Sequence, residues 1–194
     1  MQNEYIDKYR KIFEGDHFIR NNVKLLHAHY AAFDGGGARV LIDYMLEELA
    51  HRKSVTILDW GCGTAIQWHK QCLLDNTKSL MNVLGEKVQG FYRYDPAVEI
   101  YSQKPACSFD FVICSDVLEH IPDKYLEEFF YEINSYVKKD GIIFYSISTT
   151  PSHNKFRDGE NMHVNLKNPD EWVTILKKHS SSKIRVIFNG SHSY

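Results

Sequence analysis

Several features are missing from this sequence of 194 residues, and each absence narrows what the protein can be. No segment approaches the run of about 18 apolar residues needed to cross a bilayer, and the polar, mixed-charge start from Met1 to Phe13 lacks the apolar stretch expected of a secretory leader. Charge of one sign is lacking too. Against 25 Asp and Glu stand 23 Lys and Arg, a net charge of -2, which argues against an overall basic grip on nucleic acid while leaving a local patch open. Cys62, Cys72, Cys107 and Cys114 form no CxxC pair and no repeating framework, so they read as free thiols in a reducing compartment. A soluble, cytoplasmic protein without a membrane partner is the expectation. No internal repeat or low-complexity segment replaces ordinary packing.

What is present is enough for a core. Hydrophobic residues make up 43% of the chain, and the length suits one domain, residues 1–194. Its first 52 residues are expected to form a helical cap or lid, with Tyr5, Tyr9, Phe13, Phe18, Tyr30 and Phe33 covering a ligand or the sheet. Gly35, Gly36 and Gly37 should break any helix there, and Leu41, Met45 and Leu49 mark one buried helical face between Ala38 and His51.

From residue 53 onward, strand and helix signals alternate. Strands are expected at Val55 to Leu58, Val88 to Tyr94, Phe109 to Cys114, Ile142 to Ile147 and Ile184 to Phe188. A helix-compatible stretch runs from Thr64 to Leu74. Another helix carries Leu126, Phe129, Phe130, Ile133 and Val137 and stops at Lys138 to Gly141, and one more starts at Asn168-Pro169. The order predicts an α/β fold: a mostly parallel, doubly wound sheet with helices on both faces and a ligand crevice at the carboxyl ends of the strands.

Polar residues collect at those ends: Asp59, Gly61 and Gly63 after the first strand, Asp95-Pro96 after the second, Ser115, Asp116, Glu119 and His120 after the third, and Ser148 to Thr150 after the fourth. A glycine turn admits close backbone approach, and a carboxylate at the next strand end can hold a ribose diol. Pyrophosphate is disfavoured. Ile66 stands where a dinucleotide fingerprint wants its third glycine, and Gly63-Thr64-Ala65-Ile66 is no P-loop ending. A nucleoside-containing ligand with an amino-acid end and no phosphate fits better.

The residues Ile57-Leu58-Asp59-Trp60-Gly61-Cys62-Gly63-Thr64 resemble the first motif of Rossmann-like, class I S-adenosylmethionine-dependent methyltransferases. Phe109 to Val112, followed by Val117 to Pro122, is similar to the fourth-strand signature of their small-molecule branch. The resemblance spans roughly residues 38 to 188. It implies S-adenosylmethionine as cofactor, with Asp59, Trp60, Gly61, Cys62 and Gly63 around its methionine portion. Asp95 and Pro96 would lie at the ribose, and Ser115, Asp116 and Val117 under the sulfonium. Ala65 replaces the family's third glycine, only about a dozen residues separate Asp95 from Phe109, and the last antiparallel strand is expected to be missing.

The expected reaction is direct displacement of the methyl group onto an oxygen or nitrogen of a small-molecule or carrier-bound acceptor. His120 or His163 would act as base, and Glu119 would orient an amine. The loop holding His153, Arg157, Asp158, Glu160, Asn161 and His163 is the expected place of substrate recognition. Two rival readings stand beside this one. Asp116, Glu119, His120 and His163 resemble the site of metal-dependent small-RNA 2′-O-methyltransferases, in which two glutamates and two histidines bind a divalent ion. Asp116 occupies the first glutamate position, so no metal is assigned here. The other rival is a non-catalytic nucleoside- or partner-binding domain.

Overall fold

The computed structural model describes residues 4–26, 33, 36–69 and 79–190. Its centre is a five-stranded sheet of β3 (Val55–Trp60), β4 (Val88–Tyr94), β5 (Phe109–Ser115), β6 (Val137–Ser148) and β8 (Lys183–Asn189). The strands lie in the order β4-β3-β5-β6-β8, every neighbouring pair parallel. The chain steps from β3 to β4 on one side and returns to β5 on the other. That reversal places a crevice at the carboxyl ends of β3 and β5.

Period-two alternation builds the two layers of the core. Phe111 and Ile113 of β5, with Ile142 and Phe144 of β6, face α2 (Ile42–Ala50) and α4 (Leu80–Leu84), where Met45, Leu49, Leu80 and Leu84 are buried. Val112, Cys114, Ile143, Tyr145 and Ile147 point to the opposite face. There they meet Leu126, Phe129, Phe130 and Ile133 of α5 (Asp123–Ser135) and Trp172 and Leu176 of α6 (Pro169–His179). A capping box at Asn168 and Glu171, with Pro169 at the first helical position, starts α6 where the sequence indicates.

Three expectations change. Val137 belongs to β6 and not to the preceding helix. Tyr136 ends the helix, its carbonyl accepts from the Phe109 amide at 2.7 Å, and Val137 then pairs with Phe109 before a register shift. Gly36 and Gly37 do not break a helix; they open a short 3-10 segment, Gly36–Leu41, that leads into α2. The N-terminal segment is not wholly helical. After α1 (Glu4–Phe13), β1 (His17–Arg20) and β2 (Val23–Leu26) form a hairpin, and β7 (Asn154–Lys155) pairs with β1 to make a second, antiparallel sheet. Arg20 pairs with Val23, and Asn21 and Asn22 between them both adopt positive φ, 51° and 63°, as a two-residue hairpin turn demands.

Other expectations agree. Between Asp95 and Phe109 the chain makes only one 3-10 turn, Glu99–Tyr101, and no antiparallel strand joins the main sheet among the described residues. The helix expected from Thr64 is described at α3 (Ile66–His69); its continuation, with Cys72, and Tyr30 and Gly35 lie outside the described residues. Cys62, Cys107 and Cys114 are free thiols. Among the described residues no helix is long and apolar enough to cross a membrane.

A small separate core holds the N-terminal unit down: Ile12 and Phe18 pack with Phe156 and Met162 from the loop after β6. Phe18, fully buried, is its centre. Removing that ring in Phe18→Ala should cost about 3–5 kcal/mol, felt locally. Hydrogen exchange is expected to accelerate across α1, β1, β2 and β7 while β3, β5 and β6 keep their protection.

Candidate active site

The turn after β3 is wound so tightly that Gly61, Gly63 and Ala65 all take positive φ, 77°, 53° and 54°. Its amides are spent inside the protein. Gly61 and Cys62 donate to the Tyr94 carbonyl, Gly63 to Asp95 Oδ2 at 2.9 Å, Thr64 to the Phe33 carbonyl at 2.8 Å, and Ala65 to the Cys62 carbonyl. A loop with no amide left over cannot cradle a phosphate. Ala65 holds the left-handed conformation of the family's third glycine at the expense of about 1 kcal/mol of strain.

The turn forms one wall of a cavity of about 490 Å³ at the carboxyl ends of β3, β4 and β5. Of the residues singled out from sequence, Trp60, Gly61, Cys62, Gly63, Asp95, Pro96, Ser115, Asp116, Val117, Glu119, His120 and His163 all line it. Asp59 does not. It is 3% exposed behind the turn, where its Oδ2 accepts from Trp68 Nε1 at 2.6 Å. Burial, with the Asp95 charge as a lesser cause, pushes its pKa up to about 7 against the bond from Trp68. Asp59 therefore braces the turn against α3 and does not itself line the cavity.

Asp95 accepts from the amides of Gly63 and Ala97, which hold its carboxylate at the rim and oppose the upward pull of burial on its pKa. These bonds, with a further one from the Val98 amide, still leave lone-pair capacity on the carboxylate for a hydroxyl. Ser115 Oγ is buried with no partner among the described residues. Asp116 sits at φ 54°, its Oδ1 taken up by Ser146 Oγ and Asn189 Nδ2. Burial raises its pKa. Gly37 leans on this spot so closely that a Cβ there would come within 2.0 Å of Asp116 Oδ2. These residues fit a group with a ribose and a charged amino-acid end, and they fit a phosphate poorly.

Glu119, His120 and His163 line another part of the same cavity. Glu119 is fully buried; Oε1 accepts from the Ser148 amide at 2.9 Å, and Oε2 has no partner among the described residues. Burial, and secondarily Asp116, raises its pKa well above the usual carboxylate range. The Nδ1 atoms of His120 and His163 lie 2.8 Å and 2.6 Å from the carbonyls of Met162 and Thr150. Those contacts assign the ring proton to Nδ1 in each neutral imidazole and leave Nε2 with its lone pair. Burial holds both rings below their ordinary pKa, His120 at about 3.

Ser148, named from sequence at the end of the fourth strand, lines the cavity as well, whereas Asn189, Gly37 and Met162 are wall residues that sequence reasoning did not single out. Of the aromatics expected to cover the ligand, Tyr5, Tyr9, Phe13 and Phe33 do line the cavity, whereas Phe18 is core. Tyr9 places its hydroxyl 2.6 Å from His120 Nδ1. The loop after β6, which brings Ser152, Met162 and His163 to the cavity, also acts as a fastener: Asp158 and Glu160 bind Lys8, Glu160 also accepts from Tyr5, and Arg157 pairs with Asp16. Asn161 turns inward to bond Ser152 within the same loop.

A family model described as a methyltransferase domain matches residues 29–188. No curated protein sequence matches the chain. Two solved structures are similar to the chain at 18% identity. One is a DhpI–SAH complex, TM-score 0.49, covering 92% of this chain and 88% of that one. The other is coclaurine N-methyltransferase bound to N-methylheliamine and SAH, TM-score 0.34, covering 75% and 43%.

Three substitutions test this geometry. A Cβ on Gly63 would meet the Phe33 carbonyl oxygen at 2.2 Å, so Gly63→Ala should cost at least about 2 kcal/mol in chemical denaturation; Ala65→Gly, at the same kind of φ, should stay within about 1 kcal/mol. For Asp59 the sign follows from its raised pKa. Below the usual value of 3.8 both folded and unfolded carboxyls are protonated and nothing is lost. As pH rises from there to about 7 the unfolded group ionises first, so stability falls, by at most about 4 kcal/mol, and then levels. Asp59→Asn should match the parent near pH 4 and exceed it at pH 8.

Proposed function

The chain belongs to the methyltransferase-domain family, whose methyl donor is S-adenosylmethionine, and from that premise we propose that it moves the methyl group to an oxygen or nitrogen of a small or carrier-bound acceptor by direct displacement. One observation carries the reading: the β3 turn, Asp95 and the trio Glu119, His120 and His163 all face one cavity. The donor supplies an already activated methyl group. The protein's part is alignment, exclusion of water and care of the acceptor's proton.

Each wall residue has a task in this scheme. Asp95 accepts from the ribose hydroxyls through the lone pairs its backbone donors leave. Carbonyls of the Gly61 to Gly63 turn receive the ammonium end, and Ser115 Oγ supplies a hydrogen bond beneath the methionine portion. Across the cavity the Glu119 carboxylate and the imidazoles orient the nucleophile, and an unprotonated Nε2 can take the proton of a hydroxyl acceptor. Tyr9 and Phe33 close the top and keep water out. Among the described residues no lysine or arginine lines the cavity, which favours a small acceptor over a polynucleotide end.

Calorimetry and turnover check the scheme separately. Asp95→Ala should weaken S-adenosylmethionine binding at least about tenfold, the loss of charge-assisted bonds, whereas Asp59→Asn should leave it within about threefold. Release of S-adenosylhomocysteine against pooled metabolites should identify the acceptor. With it in hand, His120→Ala should lower kcat by about 100-fold at nearly unchanged cofactor affinity. No binding of S-adenosylmethionine by the parent protein would overturn the scheme, and binding without turnover on any pool would favour a non-catalytic role.

A further inference from the structure

The two cavity histidines differ in what meets Nδ1. For His163 it is the Thr150 carbonyl, at 2.6 Å. His120 Nδ1 faces two oxygens, the Met162 carbonyl at 2.8 Å and the Tyr9 hydroxyl at 2.6 Å. Tyr9 reaches it from α1, 111 residues away in the sequence. Its ring stands edge to face on the imidazole, centroids 5.5 Å apart, and edge to face on Phe156 as well.

These three polar groups satisfy one another when the ring proton sits on Nδ1. That N–H is then shared between the Met162 carbonyl and the Tyr9 oxygen, and the Tyr9 hydroxyl donates to the same carbonyl, 3.4 Å away. The reverse arrangement, Tyr9 donating to a bare Nδ1, would set the Met162 carbonyl against a nitrogen lone pair and put the ring proton on Nε2. The neighbours of Tyr9 fix its place. Lys8 meets Asp158 and Glu160, and Arg10 donates to the Pro96 carbonyl at 3.2 Å. Met162 belongs to the small core of Ile12, Phe18 and Phe156. Both oxygens on His120 Nδ1 are therefore delivered by the cap and the loop fastened to it.

We infer that Tyr9 is a positioning residue: its hydroxyl, with the Met162 carbonyl, fixes the His120 imidazole and makes it, and not His163, the group that takes the acceptor's proton. The inference rests on the methyl-transfer reading above. In that step the acceptor oxygen or nitrogen bonds to the methyl carbon as the carbon–sulfur bond breaks, sulfur keeps the bonding pair, and the acceptor's proton passes to Nε2. The ring becomes an imidazolium, a form that burial disfavours. Its two Nδ1 bonds turn from neutral to charge-assisted, so they strengthen in the transition state beyond their worth in the bound complex. Because both partners arrive with the cap, the base is complete only when the cavity is covered.

Tyr9→Phe keeps the ring and its packing and removes only the oxygen. With the acceptor identified by S-adenosylhomocysteine release, kcat should fall at least about tenfold, the worth of a hydrogen bond to a charged group. The acceptor KM and the affinity for S-adenosylmethionine should stay within about threefold. A second measurement needs no acceptor: in the full chain with isotope-labelled histidine, the His120 Nδ1–H resonance, identified by its loss in His120→Ala, should move upfield in Tyr9→Phe. Lys8→Ala, which cuts exposed ion pairs of the cap and leaves this hydroxyl, should change neither kcat nor the resonance. An unmoved resonance or an unchanged kcat in Tyr9→Phe, or an equal loss of kcat in Lys8→Ala, would overturn the inference. A parent that binds no S-adenosylmethionine would overturn the methyl-transfer reading and the proton role with it, while the resonance would still report whether Tyr9 holds His120.

Discussion

The Gly63 amide donates to the Asp95 carboxylate across the carboxyl ends of two neighbouring parallel strands, and much of the cavity is arranged around that bond. It ties the turn after β3 to the end of β4. It needs Gly63 at positive φ, and the same turn brings the Thr64 amide under the Phe33 carbonyl. A side chain at Gly63 would drive that carbonyl away, so one hydrogen atom in place of a methyl group lets the N-terminal segment close over the sheet. Asp59, behind the turn, contributes by bracing Trp68.

Electrostatics divide the cavity into two tasks. Asp95, Asp116 and Glu119 are all carboxylates drawn toward the neutral form by burial, and no cationic side chain among the described wall residues offsets them. Such a place favours ligands that bring positive charge, such as an ammonium or a sulfonium. The spent amides of the β3 turn act in the same direction, since they withhold the donors an anion would need.

The cover is assembled from distant parts of the chain. Lys8 on α1 meets Asp158 and Glu160, Tyr5 joins Glu160, and Tyr9 packs edge to face against Phe156 and His120. Individually the exposed ion pairs are worth little; the buried Phe18 and Phe156 do most of the holding. Because α1, the hairpin and the loop after β6 pack mainly on one another, this unit is the natural place for the site to open and admit an acceptor.

Much of this was legible along the chain. Period-two runs located all five strands of the main sheet, and polar residues at their ends named most of the cavity wall, because strand periodicity and strand-end chemistry are properties of neighbours in sequence. Asn21-Asn22 between two short apolar runs carried the hairpin signal as well, although the preceding helical spacing masked it. What required the tertiary structure was proximity between segments. That Asp59 turns away toward Trp68, that the amides of the turn are already paired, and that His163 arrives beside Glu119 and His120 all follow from which loop packs over which strand end. Sheet order and burial decide that packing, and burial also moves the pKa values on which the chemistry depends. A residue's type and spacing determine what it can do, whereas its partners and its access to water are decided only when the fold closes around it.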